Sequence, residues 1–442
     1  MKLNRFLAKS TLVGALGGLL FGFDTAVISG TTDSLTRVYG LSPKLLGVTV
    51  TSALIGTILG AMFAGIPGER IGRRDSLKLT AVLYLISAFG CAFTWSWGAL
   101  VAFRVIGGLG IGASSVLGPM YIAEISPANL RGRLVGVFQI NIVFGILVAY
   151  FSNYLISGSG FGFNDWRWEF GVAGIPAALF LILLFTIPRS PRWLVKTGRL
   201  EEARSVLQKI GDENFNQEVQ DIADSIHLER NQPQEPLFSR KYAFPIFLAV
   251  SIGMFNQLAG INAILYYLND IFAFAGYSKL SGNLQAVVIG ATNLLFTVIA
   301  MSVIDRIGRK TLLLIGAAGT AVCLAGVATI FFTHRHLSYL LLILVAYIAF
   351  FAFSQGAVIW VYLAEVFPNA VRAKGQSLGS FSHWFMNGAI SLAFPILAAS
   401  SGAYPFVFFA VMTVLQFFVV LFFYPETKNI TLEDMQKKLG IA

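Results

Sequence analysis

Twelve stretches of this chain are each long and apolar enough to cross a lipid bilayer, and that repetition leaves few folds open to it. Crossing the hydrocarbon layer takes roughly 20 apolar residues per helix. The runs fall at about 10–30, 45–67, 77–96, 99–123, 134–156, 168–187, 243–268, 284–304, 311–332, 339–363, 375–399 and 403–424. Twelve such helices bury far more than one core, so the expected fold is an all-α integral membrane bundle. Charge is scarce for the same reason. Only 12% of the residues are charged, against about 25% in a soluble domain. Forty-four glycines and 39 phenylalanines suit helices that pack closely and face lipid. The first run is too long for a cleavable signal peptide, and no small-residue cleavage pattern follows it.

The net charge of +10 would suit nucleic acid, but its placement argues otherwise. With both termini in the cytoplasm, 26 of the 32 Lys and Arg fall in cytoplasmic segments. Arg37, Lys44, Arg167, Lys279 and Arg335 fall outside, and Arg104 lies within a helix. This asymmetry is the positive-inside rule, and it sets the orientation expected in the cell membrane. Cys91 and Cys323 lie in apolar runs, where neither a disulfide nor a metal site is suggested.

The connections divide the chain. Residues 1–188 and 242–424 each hold six runs, 189–241 form a cytoplasmic linker, and 425–442 form a short tail. LEEARSVLQKIG (200–211) in the linker places Leu200, Ala203, Leu207 and Ile210 on one helical face. The two halves repeat one another. GERIGRRDSLKL (68–79) returns as IDRIGRKTLLLI (304–315), and YIAEISPANLRGR (121–133) as YLAEVFPNAVRAK (362–374). A duplicated six-helix unit follows, and transporters built from repeats bind substrate near the membrane midplane. Arg73, Arg74, Glu124, Arg131, Arg309, Glu365 and Arg372 fall at cytoplasmic helix ends. Opposite charges there can tie the inner ends of helices and release them as the halves rock.

These motifs resemble the sugar porter family of the major facilitator superfamily, and most of all its bacterial D-xylose/proton symporters. The stretches that carry the resemblance are GGLLFGFDTAVISG, ERIGRR, RVIGGLGIG, PMYIAEISPANLRGR, PRSPRWL, NQLAGINAILYY, DRIGRK, LAEVFPNAVR and PETK. Four positions depart from the pattern. Arg189 stands where the family usually has glutamate, and Asn256 where it has glutamine. Ile146 and His383 stand where the xylose symporters have glutamines.

A sugar presents hydroxyls over patches of C–H, so its site needs amides and an aromatic face. The second half supplies Asn256, Gln257, Asn262, Asn293, Trp360, His383, Trp384 and Asn387 at membrane depth, and the first half Gln139, Asn141 and Phe21. On a straight helix Asn256, Gln257 and Asn262 spread over about 240°. They converge only if the helix breaks, and Gly260 is placed to break it. The resemblance implies that Gln139, Gln257, Asn262 and Trp360 contact sugar, joined by Asn256, Asn293, His383 and Trp384. It implies that Tyr266 and Tyr267 cover the site.

Asp24 and Arg104 are the Asp, Glu, Lys or Arg residues well inside the runs, and such groups mark a pathway or relay. A carboxylate that faces a cation ionises, and one moved away from it takes a proton. Asp24 is thus the candidate proton carrier, with Arg104 its partner. The resemblance implies the same, since proton-coupled members carry aspartate there and passive ones asparagine. The function expected is proton-coupled import of a pentose or hexose by alternating access. It needs no cofactor beyond the proton as coupling ion, no metal and no nucleic acid, and a monomer in the bilayer suffices. A passive facilitator is the alternative. A sugar sensor is disfavoured by the short tail, and no nucleophile–base pair or nucleotide loop suggests an enzyme. GLGIG (108–112) reads as a close-packing stripe.

Overall fold

The computed structural model describes residues 4–127, 129–211, 214–231, 235–368, 370–428, 430 and 432–441. Among the described residues there are helices and no strand. Eleven helical segments among the described residues are long and apolar enough to cross a membrane. The expected run at 375–399 lies in the 29-residue helix Arg372–Ser400. That helix is less apolar because His383, Asn387 and Ser391 lie on its buried face.

The chain forms two compact units that do not follow its order. One comprises Met1–Val27, Ser52–Ser152 and Asn164–Pro233, and the other Ile28–Thr51, Asn153–Phe163 and Gln234–Ala442. The long helices α1 (Arg5–Tyr39), α2 (Pro43–Phe63) and α6 (Arg131–Ser157) are therefore shared between units along their length.

In the first unit α3 (Gly65–Arg70) leads into α4 (Arg73–Phe93) and α5 (Trp97–Ile125). Beyond α6 come α7 (Asp165–Gly171), α8 (Gly174–Leu184), α9 (Pro191–Lys196), α10 (Leu200–Ile210) and α11 (Phe215–Asn231). The stripe GLGIG is indeed a packing surface. A Cβ at Gly108 would lie 1.9 Å from the Ala53 carbonyl oxygen, and one at Gly112 2.0 Å from that of Thr57. Only hydrogen fits where α2 and α5 touch backbone to backbone.

The linker helix α10 buries Ala203, Val206, Leu207 and Ile210, while Leu200 is 40% exposed. The face expected from the sequence is thus kept at Ala203, Leu207 and Ile210. Leu200 opens the helix at the edge of the stripe, and Val206 replaces it at the centre. Asn4 joins this helix to α1. Its Nδ2 donates to the Lys209 and Ile210 carbonyls at 2.9 and 2.8 Å, and its Oδ1 accepts the Leu7 amide at 2.8 Å. One side chain therefore caps the end of α10 and the start of α1.

The second unit holds α12 (Ala243–Leu258), α13 (Ile261–Tyr266), α14 (Leu268–Phe274), α15 (Lys279–Ile307) and α16 (Arg309–Thr333). After them come α17 (Leu340–Phe353), α18 (Gln355–Glu365), α19 (Arg372–Ser400), α20 (Tyr404–Phe423) and α21 (Leu432–Lys438). The membrane run expected at 243–268 is broken between α12 and α13 at Gly260, whose φ of +87° is a left-handed value. A Cβ there would also meet the Phe409 ring at 2.4 Å. Glycine is required on both counts.

Candidate functional site

The break at Gly260 brings the amides together. Asn262 Nδ2 donates to Gln257 Oε1 at 3.1 Å, and Gln257 Nε2 donates to Asn256 Oδ1 at 3.1 Å. Gln257 Nε2 also lies 3.2 Å from His383 Nε2 on α19. An amide donates there, so the imidazole nitrogen it meets accepts. His383 stands between two indoles, with ring centres 5.2 Å from Trp360 and 5.1 Å from Trp384. Trp360 is 38% exposed, whereas His383 and Trp384 are buried. A row of polar groups thus ends on an open aromatic face.

The row continues along α19. Asn387 Nδ2 donates to the Tyr266 hydroxyl at 3.2 Å, and Ser391 Oγ donates to Asn387 Oδ1 at 3.2 Å. Tyr267 donates to the Ser391 carbonyl at 2.9 Å and stacks on Phe394. Gln355, which the sequence reading missed, adjoins the row. Its backbone carbonyl accepts from Asn256 at 3.3 Å, and its own side chain is buried. Asn293 is buried on α15, and among the described residues no hydrogen bond joins it to the row. Gln139 lies half-buried on α6, and Phe21 packs against the apolar core of the first unit.

Asp24 lines a cavity in the first unit together with Tyr84, Ser87 and Phe170. The Arg104 guanidinium sits 5.6 Å from the centre of the Phe170 ring and is itself buried. Its positive charge acts on the Asp24 carboxylate. A second acid that the sequence reading passed over, Glu169, is fully buried on α7 beside Phe170. It opens the sixth apolar run, where it reads as a polar flank rather than as an interior group.

The charged motif residues form two matching clusters. Glu124 takes Arg73 at 2.9 Å on one oxygen and the Ser190 hydroxyl on the other. Glu365 takes Arg309 at 2.9 Å on one oxygen and the Thr427 hydroxyl at 2.6 Å on the other. The arginines seven residues after each glutamate do something else. Arg131 Nε donates to the Ala123 carbonyl at 3.1 Å, and Arg372 Nε to the Phe367 carbonyl at 3.3 Å. Arg74 pairs with Asp75 at 3.0 Å.

Arg189 now has an account. It pairs with Asp75 at 2.9 Å, beside Arg74 and Lys78. In the second unit the signs are reversed, since the loop residue is the acid. Glu426 accepts the backbone amides of Arg309 at 2.9 Å and Lys310 at 3.0 Å, at the start of α16. It also accepts those of Thr427 and Lys428. Partial burial pushes the Glu426 carboxyl up, and these four amides outweigh it and hold the group below the usual range. Its contribution is therefore present at neutral pH and is lost as the pH falls through that lowered value. Glu426→Ala should destabilise the protein by about 1–2 kcal/mol. A thermal melt of the purified variant measures it, and the loss should shrink in acid.

A helical bundle with a polar row against exposed indole, a buried acid and arginine, and paired charge clusters at its helix ends defines a multi-pass membrane transporter. The chain belongs to the Sugar (and other) transporter family, whose model matches residues 10–439. The D-xylose-proton symporter of Escherichia coli (strain K12) is 39% identical over 476 residues, covering 98% of this chain and 96% of that protein. The arabinose-proton symporter of Bacillus subtilis (strain 168) is 35% identical over 439 residues, with 98% and 95% covered. The inward open conformation of the xylose transporter XylE from E. coli superposes with a TM-score of 0.88 at 39% identity, covering 98% and 100% of the two chains. The fold is that of the major facilitator transporters, and the family is one of transporters rather than enzymes.

Proposed function

We propose that this protein imports a pentose or hexose together with a proton. It does so by alternating access, as a monomer in the cell membrane with both termini in the cytoplasm. The two six-helix halves, 1–188 and 242–424, are the moving parts. The observation that carries the reading is the convergence of Asn256, Gln257, Asn262 and His383 beside the open face of Trp360. Amides that both donate and accept match a ring of hydroxyls, and the indole matches the apolar face of the ring. Gln139, Phe21, Asn293, Tyr266 and Trp384 complete the proposed sugar contacts.

Asp24 and Arg104 supply the coupling. A cation beside a buried carboxylate favours its charged form and burial favours its protonated form, so movement of Arg104 relative to Asp24 would change the hold on a proton. A proton site whose affinity depends on conformation ties proton movement to the sugar step. Uptake of a panel of labelled sugars into proteoliposomes, with and without an inward proton gradient, tests the reading. Accumulation of one pentose or hexose that the gradient drives supports it. Equal uptake with and without the gradient marks a passive facilitator.

The charge clusters are the proposed gate. Glu365→Gln removes the charge that Arg309 and Thr427 meet, so the inner ends should loosen and the balance shift toward inward-open. Spin labels on the cytoplasmic ends of the two halves report the change. Wild-type distances in the variant would reduce Glu365 to an anchor.

A further inference from the structure

We propose that Asp270 is a second proton-binding site, whose protonation holds the contact between α14 and the far end of α1. The inference rests on the orientation and symport reading above, which place this contact on the external side. Asp270 lies on α14, beyond the membrane-spanning stretch that ends at Tyr266.

Its geometry is that of an acid rather than an ion. Oδ1 takes the Thr32 hydroxyl of α1 at 3.1 Å. Oδ2 is buried and has no hydrogen-bond partner among the described residues. A buried carboxylate with one neutral partner is poorly paid for, whereas the neutral acid needs little. The Thr32 hydroxyl already lies 3.3 Å from the Ser29 carbonyl. It can give its proton there and accept one from a neutral Asp270.

The surrounding charges do not reverse this. On α1 the nearest is Asp33, an acid that pairs with Arg37 at 3.0 Å. On α15 it is Lys279, whose ammonium lies 3.5 Å from the Ser34 hydroxyl. On α13 the titratable group is Tyr266, already engaged by Asn387. Burial foremost, with Asp33 adding, pushes Asp270 up to about 7 despite the Thr32 bond. The value thus falls where the pH outside a cell varies.

The contact is part of a larger grip. Asn269, the neighbour of Asp270, donates to Asn283 of α15. Asn283 Nδ2 in turn donates to Ser157 at the end of α6 at 2.9 Å. Two adjacent residues of one short helix therefore hold α1 and, through α15, α6. Both held segments come from the first half of the chain, yet both pack within the second unit. Opening the contact hydrates Asp270 and returns it to the ordinary carboxylate range near 4. Between that value and about 7, closure takes up a proton. Acid therefore favours the closed contact, and alkali opens it.

The experiment uses purified full-length protein without sugar, with spin labels on α1 near Thr36 and on α14 near Phe274. In the wild type, the share of closed distances should fall as the pH rises from about 4 to about 7 and stay level above that. Asp270→Asn should stay closed across the range, and Thr32→Val should reduce the amplitude of the titration without abolishing it. A wild type whose distances ignore pH would overturn the proposal, as would an Asp270→Asn variant that titrates like the wild type. A Lys279→Met variant that abolishes the titration while Asp270→Asn keeps it would also overturn it. Sugar uptake by the same Asp270→Asn protein separates the two readings. Intact gradient-driven uptake with an unchanged titration sinks the second site alone. Loss of gradient dependence in the wild type sinks the symport reading instead.

Discussion

Asp24→Asn should abolish accumulation of sugar against a gradient while leaving sugar binding in place. Asparagine keeps the size and polarity of the side chain and removes its proton. The amide row lies on α12, α13 and α19, and no residue of it is altered by the change. Exchange of labelled for unlabelled sugar, which needs no net proton movement, should survive. The contrary account makes Asp24 a structural partner of Arg104. Its removal then strands a buried cation, at a cost of about 3–5 kcal/mol. Such a variant would express poorly and bind poorly, and its residual transport would keep the wild-type pH dependence. Uptake at several external pH values, beside binding on the same purified protein, separates these outcomes.

Gln257→Ala should weaken sugar binding by about 1–3 kcal/mol, or roughly 5- to 150-fold in affinity. Gln257 is the junction of the row, since it meets Asn256, Asn262 and His383 at once. Its loss removes its own contacts with sugar and frees the groups that it orients. Calorimetry on the folded variant reads the change, with a thermal melt to confirm folding. Undiminished affinity would remove Gln257 from the proposed site.

Much of this architecture was legible because a membrane chain writes its constraints in composition. A charge in an apolar run is costly, so Asp24 and Arg104 announce themselves. Gly260 was legible because three amides on one straight helix could not share a face. The internal repeat exposed Glu124 and Glu365 as equivalents. Their partners were less so: the sequence put several arginines at the same helix ends, and the structure pairs each glutamate with the one opening α4 or α16. Spacing along a chain says which residues share a helix end, and only the packing of helices says which side chain fills the gap. The hydroxyls of Ser190 and Thr427 sat in the quoted motifs without an assigned task for the same reason. Glu169 and Asp270 lie at the edges of apolar runs, where an acid reads as a solvated flank. Burial by neighbouring helices, which no periodicity records, makes them interior groups.

The central claim is that sugar and proton enter together. Proteoliposomes in weakly buffered medium, with no gradient imposed, test it directly when the transported sugar is added outside. The account predicts that the medium turns alkaline as protons follow the sugar inward, and that Asp24→Asn vesicles give no such change. Sugar entry into wild-type vesicles with no movement of external pH would contradict it.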